Sequence, residues 1–190
     1  MENGPARMNL LAVRQRSQEG ASMTQDIRPQ ALLAKYARSI DHVAIAVRDL
    51  ETSIRFYTDV LGFELKERRR TEGKTTAMIS AVLVAGPVTV VLLEGTTPES
   101  QVSRFVERFG PGVQHLAVGV EDLPRMAEDL KAAGLEFDTT VIQSPGLRQI
   151  FSARDPGSGM MFEFIERLGG DFSDQSVQSL FEQLEKKNAF

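Results

Sequence analysis

The chain has 190 residues, a net charge of −4, 42% hydrophobic and 25% charged residues, and no cysteine. That balance suits a globular protein with room for a real core; it excludes disulfides and thiolate sites and argues against nucleic acid or an anionic membrane as main partner. No apolar run reaches the ~18 residues of a membrane span, and "MNLLAV" is shorter than the ~7–15-residue core of a signal peptide, so a cytoplasmic protein is expected.

In chain order, residues 1–28 read as a disordered tail: "RQRSQEGASMTQDIRPQ" is polar and shows no apolar period. "PQALLAKYARS" predicts a short helix. "HVAIAV" alternates and is β-branched, the pattern of a strand. "DLETSIRFYTDVLG" predicts a helix capped by Asp49 and closed by Gly62, with Ile54, Phe56, Tyr57, Val60 and Leu61 at helical spacing. "TTAMISAVLVAG" and "PVTVVLLEG" predict strands meeting at Gly86-Pro87. "PESQVSRFVERFG" predicts a linking helix, about 98–110. "VQHLAVGV" then opens a second round: helix "DLPRMAEDLKAAG" and strands "TVIQS", "LRQIFSARD" and "MMFEFIER". "SDQSVQSLFEQLEKKN" closes the chain as an amphipathic helix with Val177, Leu180, Phe181 and Leu184 inward.

The second round copies the first. His42 and His115, Asp49 and Asp122, and Leu50 and Leu123 are each 73 residues apart; Gly62 and Gly134, Val91 and Glu163, and Glu94 and Glu166 are 72 apart. Two copies make a paired module rather than a solenoid, which needs three or more repeats. The expected fold is α+β: one domain over 39–187, with βαβββ modules at about 39–97 and 111–168 and a C-terminal lid helix at about 173–187.

The chain has only two histidines, and both occupy the repeat position that heads the first strand. A lone strand histidine is most often a hydrogen-bonded core residue. Here two matching ones would face each other across a pseudo-twofold groove. Glu163, between Phe162 and Phe164, is a carboxylate in an apolar strand and is costly there unless a positive group meets it. Two histidines and one carboxylate with open positions suit non-haem Fe(II) that activates O2. Glu94 and Glu166 read as solvent-side or strand-end charges.

These motifs resemble the vicinal oxygen chelate superfamily, whose paired βαβββ modules form a half-open barrel around a divalent metal. Its four metal positions would fall on His42, Val91, His115 and Glu163, and valine cannot ligate. Four protein ligands are usual in its lyases and epimerases; three suit its Fe(II) dioxygenases. "SQVSRFVERFGPGVQHLAV", "LRQIFSARD" and "MMFEFIERLGGDFSDQSVQSLFEQLE" resemble the catalytic domain of 4-hydroxyphenylpyruvate dioxygenase and hydroxymandelate synthase. Members usually carry a further N-terminal module pair, for which this chain is too short.

That resemblance implies a metal set of His42, His115 and Glu163 with no other catalytic residue, Fe(II) as cofactor and O2 as co-substrate. The substrate would be a 2-oxo acid that chelates the metal and is oxidatively decarboxylated. Gln149 and Phe172 match pocket residues of that family. Leu93, Ser176 and Val177 stand where it has an asparagine, an asparagine and a ring-sandwiching phenylalanine, and Val91 lines the same groove. The expected substrate is therefore a 2-oxo acid more apolar or bulkier than 4-hydroxyphenylpyruvate. Short members are often homodimers. The alternatives are an extradiol ring-cleavage dioxygenase, which normally needs a further histidine, a metal-dependent epimerase or lyase, and a small-molecule-binding protein.

Overall fold

In the computed structural model, residues 32–170 and 172–187 are described; the expected tail at 1–28 lies outside them. The short helix expected before the domain is a 3-10 turn, Leu33–Lys35, leading directly into β1 (Ala37–Ala46). Then come α1 (Leu50–Arg55), β2 (Glu64–Glu72), β3 (Ala77–Ala85), β4 (Val88–Gly95) and α2 (Gln101–Phe109). The second round is β5 (Gly112–Val120), α3 (Leu123–Ala132), β6 (Ile142–Ser144), β7 (Leu147–Phe151) and β8 (Met161–Arg167), and α4 (Asp174–Lys187) follows.

The strands form one mixed eight-stranded sheet, ordered β2-β3-β4-β1-β5-β8-β7-β6. Its two halves repeat. β1 pairs parallel with β4 as β5 pairs parallel with β8, and β1 and β5 meet antiparallel in the middle. The sheet curls into a half-barrel. On one face, Leu50 and Ile54 of α1 pack on Leu83, Val90 and Leu92, and Leu123 and Met126 of α3 pack on Val118, Ile150 and Phe164. On the other, Phe105 of α2 and Phe181 of α4 meet Ala44, Ala46, Met78 and Leu93. Each large apolar side chain so buried stabilises by about 1.5–3 kcal/mol.

Both module helices start as their sequences predict. Asp49 accepts a hydrogen bond from Thr52 N at 2.6 Å, and Asp122 accepts one from Arg125 N at 3.4 Å. Both helical segments are followed by glycine with positive φ, Gly62 at 75° and Gly134 at 99°, where a Cβ would be strained. The first helix departs from expectation beyond Arg55. Phe56–Val60 is a π-helical turn, with Leu61 N donating to Phe56 O. The added residue per turn rotates the apolar stripe, so Phe56, Val60 and Leu61 face solvent while Leu50 and Ile54 stay buried.

Strand β2 has no counterpart among the strands named from sequence. Seven of its nine residues are charged, so no period-2 apolar signal exists. It is an edge strand, where charge blocks further pairing.

Glu94 and Glu166 correct an expectation. They are not idle strand-end charges. Glu94 Oε2 accepts from Leu50 N at 2.6 Å, and Glu166 Oε1 accepts from Asp122 N at 2.9 Å. Each ties the last strand of its module to the start of its module's helix. Glu166, 8% exposed, also pairs with Arg148 at 3.2 Å.

Candidate metal centre

Strand register builds the centre. His42 lies opposite Ala117, and Ala117 lies beside Glu163, so one row across the sheet reads His42–Ala117–Glu163. The pseudo-twofold mate of that row reads His115–Ala44–Val91. Both rows face the concave side. Each has a fully buried alanine at its middle, and a methyl group there leaves the flanking side chains free to lean together. Val91 thus occupies the position in module one that Glu163 occupies in module two.

The three polar side chains converge. One carboxylate oxygen, Glu163 Oε2, lies 3.2 Å from His42 Nε2 and 3.5 Å from His115 Nε2. One ligand atom from each residue falls within 4.8 Å of the other two. His42, His115 and Glu163 are 5%, 9% and 1% exposed. Glu163 Oε1 is buried without a hydrogen-bond partner among the described residues. A buried carboxylate and an imidazole lone pair facing one another leave a place that a cation fits.

Behind each imidazole stands the preceding residue. His42 Nδ1 donates to Asp41 Oδ1 at 2.9 Å, and His115 Nδ1 donates to Gln114 Oε1. Asp41 and Gln114 are themselves repeat mates, one charged and one neutral. Asp41 is clamped by Arg167, at 2.6 Å from Nε and 3.0 Å from Nη2. Both contacts turn the Nε2 atoms toward the centre, as outer partners of metal-binding histidines do. Burial pulls the His42 pKa down, but Glu163 and Asp41 outweigh it and raise it to about 9. His115 goes the other way: burial, then the charge of His42, then that of Arg154, hold it well below 6.5.

The centre forms one end of a cavity of about 570 Å³. Gln149 lines it, fully buried, and among the described residues neither its amide oxygen nor its nitrogen has a hydrogen-bond partner. Val91, Leu93, Phe172 and Val177 also line it, with the Phe172 ring 6.0 Å from that of His42. Ser176 does not. Its hydroxyl donates to Ser173 O at 2.9 Å and accepts from Ser173 N at 3.1 Å, so it is spent on the turn that starts α4.

Cavity residues that sequence reading missed include Met78, Ser80, Phe151 and Arg69. Phe151 stacks edge-on to His115 at 5.1 Å and sits beside Glu163 in register. Its signal was present: Phe151 is two residues from Gln149 and so shares its strand face. Arg69 carried no signal inside the charged run "KERRR".

The sequence profile of the Glyoxalase/Bleomycin resistance protein/Dioxygenase superfamily matches residues 39–164. The 4-hydroxyphenylpyruvate dioxygenase of Legionella pneumophila (strain Philadelphia 1) is 23% identical over 196 residues, covering 83% of this chain and 56% of that protein. The chain spans about half the length of such curated relatives. A triple mutant of 4-hydroxymandelate synthase from Streptomyces coelicolor superposes with TM-score 0.71 at 24% identity, over 80% of this chain and 54% of that one, a likeness of fold. Methylmalonyl-CoA epimerase from Mycobacterium tuberculosis gives TM-score 0.59 at 27% identity, over 69% of this chain and 89% of its own. With the profile covering both modules, and the duplicated half-barrel found independently, the chain belongs to the glyoxalase/bleomycin resistance/dioxygenase superfamily.

Proposed function

We propose that His42, His115 and Glu163 hold one Fe(II) ion and that the domain is a dioxygenase oxidatively decarboxylating a 2-oxo acid with O2. One observation carries this reading: the pseudo-twofold mate of Glu163 is Val91, which has no donor atom and faces the cavity. Three protein ligands would leave room on such an ion for a bidentate oxo acid and O2. A four-ligand epimerase or lyase centre is disfavoured by the same residue.

When bound, Fe(II) supplies the O2-activating chemistry. The chain's own residues do the rest. Gln149 offers a buried, unused donor and acceptor to the substrate's polar head. Phe151 and Phe172 flank the histidines with apolar rings. Leu93 and Val177 give aliphatic walls, which supports a substrate other than 4-hydroxyphenylpyruvate.

The test is an anaerobic titration of the Fe(II)-loaded protein with a panel of 2-oxo acids. A weak visible charge-transfer band is expected with the preferred acid, followed by O2 uptake and release of CO2 on mixing with air. No band with any 2-oxo acid, together with turnover of catechols, would replace this reading with extradiol ring cleavage. Epimerase or lyase turnover with Zn(II) or Co(II) and no O2 uptake would also overturn it.

A further inference from the structure

The cavity has a second polar end. Register sets Arg69 beside Ser80 and Ser80 beside Leu93, and all three side chains line the cavity. Arg69 Nη2 donates to the Phe172 carbonyl at 3.3 Å, and the ring of Phe172 lies against His42. Phe172 therefore stands between the guanidinium and His42.

Arg69 is held in place but not satisfied. Its Nη2 lies 2.6 Å from Glu67 Oε1, and its Nε lies 3.2 Å from Asp174 Oδ1. The latter contact is an ion pair, and among the described residues the buried Arg69 Nε makes no hydrogen bond. Asp174 is 95% exposed, so solvent weakens its hold. A buried N–H without an acceptor is costly, and an acceptor from a ligand removes the cost. Ser80, buried on the adjacent strand, adds a hydroxyl. Charge is not what this end lacks. Arg69 faces Glu67 and Asp174, and Lys66 is paired with Glu64 at 2.6 Å. Between the two ends run Val91, Leu93, Met78 and Val177, all aliphatic, while Phe151 and Phe172 stand beside the histidines.

The geometry points to a distal substrate subsite: Arg69 and Ser80 bind an uncharged oxygen, a hydroxyl or carbonyl, at the far end of an otherwise aliphatic 2-oxo acid. This rests on the 2-oxo acid reading above and specifies its substrate class. Arg69 and Ser80 select the substrate; neither takes part in the chemistry at the metal.

The test loads the full chain with redox-inert Zn(II), so that binding is read without turnover. Calorimetry then compares 2-oxo acids of equal length ending in methyl, hydroxyl or carboxylate. The hydroxyl acid is expected to bind about 10- to 100-fold more tightly than the methyl acid, the range of a hydrogen bond to a charged donor. It should also bind more tightly than the carboxylate acid. Arg69→Gln and, separately, Ser80→Ala should each shrink the hydroxyl-to-methyl ratio, with thermal melting confirming the fold of each variant. Equal binding of the hydroxyl and methyl acids by the unmodified chain overturns the subsite and leaves the 2-oxo acid reading standing. Tightest binding of the carboxylate acid overturns the uncharged assignment. No binding of any of the three overturns both readings together.

Discussion

His42 and His115 hold matching places in the two modules, yet their environments push their basicities in opposite directions. The difference comes from what surrounds each ring: Glu163 and Asp41 outweigh burial at His42, while at His115 burial leads and the charges of His42 and Arg154 add to it. His42, between two carboxylates, keeps its proton up to about pH 9 in the metal-free protein; His115 is neutral there at ordinary pH. The sign for metal binding follows. A divalent ion must displace the His42 proton but none from His115, so apparent affinity should rise about tenfold per pH unit until about pH 9 and then level off. Zn(II) competition titrations across pH measure that slope, and a slope near two protons would show that His115 is protonated as well. The same proton stabilises the metal-free fold. A folded pKa above the unfolded 6.5 contributes stability that is complete below 6.5 and lost as pH climbs toward about 9. After Glu163, Asp41 contributes to this. Asp41→Asn keeps the shape and removes the charge that Arg167 clamps; it should weaken metal binding about 10- to 100-fold, as loss of an outer partner does, and lower the His42 pKa seen by NMR in the metal-free protein. His115→Ala should abolish binding outright, and an iron-replete variant would remove His115 from the proposed ligand set.

The strands and helices owe their positions to contacts that only partly show in the sequence. The repeat offsets of 73 and 72 residues, the Asp caps and the closing glycines are local signals, and they make both module helices and most of the strands legible. Strand β2 was not legible, because an edge strand wants charge outward and so carries no apolar alternation. The π-turn at Phe56–Val60 was not either; an inserted residue shifts the helical face without changing the composition that suggested it. Glu94 and Glu166 were misread for a third reason. Their partners, the helix-start N–H groups of Leu50 and Asp122, lie 44 residues away in each module, and only the parallel pairing of first and last strands brings them together. The two glutamates act as long-range caps. Glu166→Ala leaves the Asp122 N–H and the Arg148 guanidinium without their shared acceptor in a mostly buried place, so it should destabilise the fold by about 1–3 kcal/mol. Urea melting of the metal-free protein checks this. A loss confined to metal affinity, with no change in melting, would argue that Glu166 belongs to the centre and not to the helix.

At the scale of the whole molecule, the argument turns on how a duplicated fold becomes asymmetric. Two equal modules pair β1 with β5 and would present four equivalent ring positions, His42, Val91, His115 and Glu163. The two histidines and the spacing of the repeats make that ring visible from sequence, because the pairing needs only alternation and a twofold. What the sequence could not show is that Arg69 reaches the cavity from the far edge and that Ser176 is diverted into its own turn; Phe172, ahead of α4, was among the residues it pointed to. The departure of Val91 from the pattern is the feature on which the oxygenase reading depends, and it can be reversed. Val91→Glu would place a carboxylate at the twofold mate of Glu163, across the buried Ala44 from His115. In the metal-free protein that charge adds to the burial of Glu163, so the variant should melt earlier. With metal added it should bind Zn(II) more tightly than the unmodified chain, since a fourth donor enters the ring. It should also lose 2-oxo acid binding by calorimetry, since the positions left open by Val91 would be occupied. Tighter metal with unchanged 2-oxo acid affinity would mean that the substrate does not use the face opened by Val91, and the absence of a fourth ligand would then no longer separate a dioxygenase from an epimerase on this fold.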